Sequence, residues 1–137
     1  MDRVFLDANV LFSAAYKSAG GLKRLWAVAH EHKAVLITST YAVEEARRNL
    51  KEVTQQAELE RLLCRVKIVA APPANAGSES HGLPAKDIPI LQTAIVSEAT
   101  HLITGDFTHF GFLYGKTIEG VLIIAPADYL GSGAAGK

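Results

Sequence analysis

Short, wholly apolar runs alternate with stretches whose apolar residues recur at helical spacing. Residues 3–6 read as a short buried strand, and Val10 to Tyr16 as a helix with Leu11, Ala14 and Ala15 on one face. Gly20 and Gly21 break that helix. Residues 22–31 form the next, with Leu22, Leu25, Trp26 and Ala29 at i, i+3, i+4 and i+7. Residues 34–38 are a second buried strand. Ser39 or Thr40 then caps a helix to about residue 52, carried by Val43, Ala46, Leu50 and Val53. A further helix over about 55–65 leads to a strand at 66–69. The segment 70–85 holds Pro72, Pro73, Asn75, Gly77, Ser78, Ser80, Gly82 and Pro84 and is expected to be the one long loop. Beyond it come a helix over 87–99, a strand at 102–104, a short aromatic-rich segment over 107–114, a strand at 121–125 and a closing turn over 126–130. The Gly/Ala/Ser-rich residues 131–137 are expected to form a flexible tail. Apolar strands alternating with amphipathic helices specify an α/β domain with a mainly parallel sheet.

Carboxylates sit at the ends of these elements. Asp7 follows the first strand and Asp106 the strand at 102–104. Right-handed crossovers bring those two strand ends to one edge of the sheet, where α/β folds collect their functional groups. Asp87, between Pro84 and Pro89, starts a helix, and Glu44 and Glu45 lie on the helix after the second strand. Each has a structural alternative. Asp7 and Asp87 suit helix N-caps, and Asp106 suits the turn after Gly105. Glu44 has Arg47, Arg48 and Lys51 at i+3, i+4 and i+7, an ion-paired surface face, whereas Glu45 has only Arg48 on its stripe and is the freer acid. Gathered together, such carboxylates form an oxygen-donor site for a hard divalent cation, magnesium or manganese. Without the ion they repel one another, so some should stay protonated.

Bulk properties narrow the setting. At 137 residues and 49% hydrophobic, the chain suits one compact core. A formal net charge of zero argues against a nucleic-acid packaging protein, although Arg47, Arg48, Lys51, Arg61, Arg65 and Lys67 concentrate positive charge locally. The single cysteine, Cys64, excludes an intrachain disulfide and is expected as a buried thiol beside Leu62 and Leu63. No signal-peptide pattern and no apolar run near the ~20 residues of a membrane span is present. A cytoplasmic setting is expected. The five histidines make no zinc pattern, and His109 is expected at the surface.

The run from Phe5 to Leu11 (Phe-Leu-Asp-Ala-Asn-Val-Leu) resembles the opening motif of PIN-domain ribonucleases. Ser39 to Leu50 looks like their second motif, Lys86 to Ile95 like the third, and His101 to Phe107 (His-Leu-Ile-Thr-Gly-Asp-Phe) like the fourth. Val121 to Leu130 is similar to the family's last strand and closing turn, so the resemblance spans residues 3–130 within a domain of residues 1–130. It implies a five-stranded sheet of order 3-2-1-4-5 with helices on both faces, and an acidic pocket for one or two Mg²⁺ or Mn²⁺ ions. Position by position, it carries Asp7, Glu45, Asp87 and Asp106 over as ligands, with Asn9 and Thr104 as supporting groups. Many members carry another acid soon after the fourth motif, where this chain has Thr108 and His109.

The activity implied is hydrolysis of RNA phosphodiesters, leaving 5′-phosphate and 3′-hydroxyl ends. Arg47, Arg48 and Lys51 are the candidate contacts to the RNA backbone. Small members of the family resemble toxins held by an antitoxin. The helix faces over 10–31 and 40–65 are where an antitoxin or a second copy of the chain would sit. Two rivals are a non-catalytic binding module on the same fold and a phosphohydrolase of the haloacid dehalogenase type. The latter needs a carboxylate two residues after Asp7, where Asn9 stands.

Overall fold

The structure is a computed structural model that describes residues 1–17, 21–72 and 81–135. Its centre is β1 (Arg3–Leu6), in which Val4, Phe5 and Leu6 are fully buried. A strand covered on both faces has no reason to alternate polar and apolar residues. α1 (Ala8–Tyr16) follows at once, and α2 (Arg24–Glu31) comes after a 3₁₀ turn at Gly21–Lys23. The break expected at Gly20 lies outside the described residues. β2 (Val35–Ser39) leads into α3 (Thr40–Asn49), capped by the Ser39 hydroxyl, which accepts from the Ala42 amide at 3.0 Å. α4 (Val53–Leu63) and β3 (Lys67–Val69) complete the first half.

Residues 73–80, the middle of the expected loop, lie outside the described residues. After them come a 3₁₀ turn at Ala85–Asp87, α5 (Ile88–Val96), β4 (His101–Ile103) and α6 (Phe107–Phe110), then a 3₁₀ turn at Gly111–Leu113. β5 (Thr117–Ile118), β6 (Val121–Ile124) and α7 (Pro126–Ala135) close the fold.

The sheet has the order β3-β2-β1-β4-β6-β5. Every pairing is parallel except that of β5 with β6. Without β5 this is the expected 3-2-1-4-5 arrangement. The expected sheet of five strands is corrected to six because Thr117 and Ile118 form a hairpin with Val121 and Leu122. Its two-residue turn places Glu119 at φ 47° and Gly120 at φ 89°. That is the geometry of a tight hairpin turn, for which Asn-Gly or Asp-Gly is the usual signal and Glu-Gly a weak one. At the other end, α7 continues through Ala135 rather than stopping near residue 130, so residues 131–135 of the expected tail are helical.

The chain builds the sheet outward from β1 in one direction through β2 and β3. It then returns to add β4 and β6 on the other side. The strand order therefore reverses between β1 and β4, and right-handed crossovers put α1–α4 on one face and α5 on the other. The core joins Phe5, Leu6, Leu11, Ile37, Leu91, Leu102, Ile103 and Phe110 in one cluster. Trp26 fastens α2 to α4, its indole N–H donating to the Leu62 carbonyl at 3.0 Å. Cys64 is exposed, not buried: it follows the last residue of α4, and its thiol donates back to the Glu60 carbonyl at 3.4 Å. Among the described residues no helix is long and apolar enough to cross a membrane.

Candidate metal centre

The crevice at the β1/β4 switch point is built from backbone ladders extended by polar side chains. The Asp7 amide donates to the Ile103 carbonyl at 3.1 Å, which carries the β1–β4 pairing to the first residue past the strand. The Asp7 carboxylate is then held from three sides. Its Oδ1 accepts the Ala8 amide at 2.6 Å, and its Oδ2 accepts the Thr104 hydroxyl at 2.8 Å and the Asn9 amide at 3.1 Å. Asn9 also accepts the Gly105 amide at 2.7 Å, so one side chain ties together the ends of both strands. A Cβ at Gly105 would lie 3.3 Å from that same Asn9 oxygen, a close approach that favours glycine. Thr104, fully buried, further accepts the Asp106 amide at 3.1 Å. Asn9 and Thr104, the expected supporting groups, both hydrogen-bond the Asp7 carboxylate.

Burial makes Asp7 costly to ionise. Only 4% of it is exposed, and its carboxyl is pushed up from 3.8 to about 6. Desolvation is the main cause. The Thr104 and Ala8 hydrogen bonds oppose it, and the charges of Asp87 and Glu45 add to it. Asp87 and Glu45 thus lie near enough for their charges to act on Asp7. Glu45 is half-buried and lines a groove of about 360 Å³ with Ala8, Asn9, Phe12, Ala46 and Asn49. Glu44, one residue earlier, is exposed and faces away; its charge acts on Arg47.

Asp87 is 8% exposed and takes the N-cap position of α5 without spending its carboxylate on a capping bond. The cap reading is therefore satisfied by backbone position alone, with Pro89 tolerated in the first turn. Burial raises the Asp87 carboxyl above the ordinary range. His109 and Lys86 lower it, and Asp106 and Glu45 raise it further. Tyr41 on α3 donates its hydroxyl to the Lys86 carbonyl at 2.7 Å, pinning the Asp87 turn against the helix that carries Glu45. Asp106 caps α6 with Oδ1, which accepts the His109 amide at 3.1 Å, and leaves Oδ2 to the crevice. Tyr114 steadies the same strand end by donating to the Thr104 carbonyl at 2.7 Å.

His109 is the main correction to the sequence reading of this region. It is half-buried and turned inward: its Nδ1 lies 3.0 Å from Asp87 Oδ2 and 2.9 Å from Asp106 Oδ2. The available signal was the Asp-x-x-His spacing, since i and i+3 on a helical first turn share a face. Tyr41 and Tyr114 carried no such signal, because their partners are backbone carbonyls supplied by other segments. Arg47, expected against Glu44, instead makes a bidentate pair with Glu60 of α4 at 2.9 and 3.1 Å. Lys51 donates to the Arg48 carbonyl at 2.8 Å. Arg48 remains the basic residue whose charge reaches Tyr41 at the crevice.

The donor set suits a divalent cation. Asp87, Asp106 and His109 each bring one ligand atom within 4.8 Å of the others, and the charges of Asp87 and Glu45 both act on Asp7. Asp87 Oδ2 is buried and makes no aligned hydrogen bond, with His109 Nδ1 3.0 Å away, and a buried carboxylate oxygen without an aligned donor favours a nearby cation.

No curated protein matches the chain in sequence. Among solved structures, the crystal structure of VapBC2 from Rickettsia felis bound to a DNA fragment from their promoter contains a chain of the same fold. The TM-score is 0.65 at 17% identity, over 89% of this chain and 97% of that one. A family model for the PIN domain matches residues 3–108, which takes in the motifs of Asp7, Glu45, Asp87 and Asp106 and ends just short of His109. On that match, this chain belongs to the PIN-domain family.

Proposed function

We propose that the chain is a divalent-metal-dependent endoribonuclease. The observation that carries this reading is the cluster of Asp87, Asp106 and His109 within 4.8 Å of one another beside the β1/β4 switch point, with the charges of Asp87 and Glu45 acting on the buried Asp7. The four acids would hold Mg²⁺ or Mn²⁺. A bound ion neutralises phosphate charge and lowers the pKa of water, so no protein nucleophile is required. Asp7 is oriented by Thr104, Asn9 and the Ala8 amide, and the Tyr41 bond to Lys86 fixes the Asp87 turn. Arg48 is the best placed of the three basic residues of this stretch to meet an RNA phosphate, since the Arg47 guanidinium is taken by Glu60. The products would carry 5′-phosphate and 3′-hydroxyl ends.

The family, and a fold shared with a chain of a VapBC complex, support a toxin role with an antitoxin partner in the cytoplasm. Helix faces of α1–α4 would be its contact surface, or that of a homodimer.

The test is cleavage of a broad single-stranded RNA pool by wild type and Asp106→Asn, with Mn²⁺ or with EDTA. Cleavage by wild type with Mn²⁺ alone, ending in 5′-phosphates, is expected. Equal cleavage by Asp106→Asn, or by wild type in EDTA, would remove the reading.

A further inference from the structure

Thr108 and His109 stand where many members of the family carry a further acid, and the surroundings of His109 do not make it a simple ion-pair partner. Its Nδ1 approaches two carboxylate oxygens, Asp87 Oδ2 at 3.0 Å and Asp106 Oδ2 at 2.9 Å. Yet the Nδ1 atom is buried without an aligned hydrogen bond, and so is Asp87 Oδ2. A ring N–H serving as donor would point along one of these contacts. The three atoms instead form a compact set within 4.8 Å of one another. Two donors on adjacent corners of an octahedral cation with bonds of about 2.1 Å stand about 3.0 Å apart. The two nitrogen–oxygen separations match that edge.

We propose that His109 Nδ1 is a metal ligand, and that the centre is a mixed imidazole–carboxylate site formed by Asp87, Asp106 and His109 beside Asp7 and Glu45. The proposal rests on the reading that the crevice binds a divalent cation, and it deepens that reading by naming the class of ion. Imidazole nitrogen suits first-row transition ions, whereas an all-oxygen site suits Mg²⁺ and Ca²⁺ equally well. His109 therefore biases the centre toward Mn²⁺, Co²⁺ and their neighbours over Mg²⁺. The fold supplies the means. Asp106 caps α6 with one oxygen, and that cap places residue 109 on the same face of the first turn as the other oxygen.

Two measurements test this without reference to cleavage. Pulsed electron paramagnetic resonance of the full chain loaded with Mn²⁺ should show coupling to an imidazole nitrogen, with the expected isotope change after ¹⁵N-histidine labelling. The other measurement is titration of Mg²⁺, Mn²⁺ and Co²⁺ by calorimetry and thermal shift on wild type, His109→Ala and His109→Asn. Loss of His109 should weaken Mn²⁺ and Co²⁺ binding on the order of tenfold or more and change Mg²⁺ binding far less. Wild type that binds Mn²⁺ with no nitrogen coupling would overturn the imidazole ligand and leave the cation site standing. An equal loss for all three ions in both variants would overturn the selectivity. Wild type that binds none of the ions would overturn the cation site itself. If either variant folds poorly, the labelled wild-type spectrum decides alone.

Discussion

Asp7 is where the proposed metal binding and stability pull against each other, and Asp7→Asn measures the conflict. Its carboxyl is raised from 3.8 to about 6 in the fold, chiefly by burial. Between those values the native state holds a proton that the unfolded chain releases. Stability without metal therefore falls as pH rises from about 4 to about 6 and levels off above. A shift of about two pKa units at about 1.4 kcal/mol each gives about 3 kcal/mol of destabilisation at neutral pH. Asparagine removes the charge but keeps the shape. Its carbonyl can still accept the Ala8 amide. Its NH₂, however, faces the Asn9 amide donor, and the Thr104 hydroxyl must turn to accept, so about 1 kcal/mol is given back. In EDTA at pH 7.5 the variant should be more stable than wild type by about 1–2 kcal/mol, or several degrees in Tm. Near pH 4, where wild-type Asp7 is protonated, the advantage should disappear and reverse by about 1 kcal/mol, the hydrogen-bond loss alone, and the variant's response to Mn²⁺ should be much reduced. The assay is urea or thermal unfolding in a pH series with EDTA, repeated with Mn²⁺. A variant no more stable than wild type at pH 7.5, or a stability difference flat from pH 4 to 7.5, would refute the argument.

Other expectations follow from the same geometry. Native-state binding at a hundredfold excess over Kd adds about 2.7 kcal/mol; Glu45→Gln should lose most of that gain and Glu44→Gln none, by thermal shift, and the reverse would move the ligand by one residue. Thr104→Val is nearly isosteric but deprives Asp7 of its hydroxyl donor and the Asp106 amide of its acceptor. It should cost about 1–3 kcal/mol at pH 8, read from denaturant unfolding, and less at pH 4, where Asp7 is neutral. RNA affinity should fall with added salt, and Arg48→Ala should lower both the affinity and the salt slope, by about one contact, more than Arg47→Ala does. Filter binding in a calcium buffer that suppresses turnover would measure it, and equal effects of the two substitutions would count against the placement of Arg48.

Local pattern determined a good part of this protein. Wholly apolar runs at Val4–Leu6 and Val121–Ile124 imply strands inside a mainly parallel sheet; Val4–Leu6 are fully buried, and β6 buries Val121 and Ile123 with Leu122 and Ile124 half-buried. Crossover handedness then brings Asp7 and Asp106 to one edge. That Glu45 and not Glu44 turns toward the groove was legible too, because one turn of helix fixes which neighbours share a face. Tertiary structure decided the rest. Thr117 and Ile118 form a strand only because β6 offers an edge for the Glu119–Gly120 turn to reach. Arg47 has an acid at helical spacing in its own helix, yet pairs with Glu60 because α4 packs alongside. His109 reads as a surface histidine until α5 delivers Asp87 to its ring. No local pattern carries a contact that spans β4 and separate helices, because side-chain periodicity reports which face is covered and not what covers it. The placement of Asp7 at a strand end was legible in the chain. How far its proton is held depended on the depth of the crevice and on the charges of Asp87 and Glu45 across it, which exist only once the sheet has closed around them.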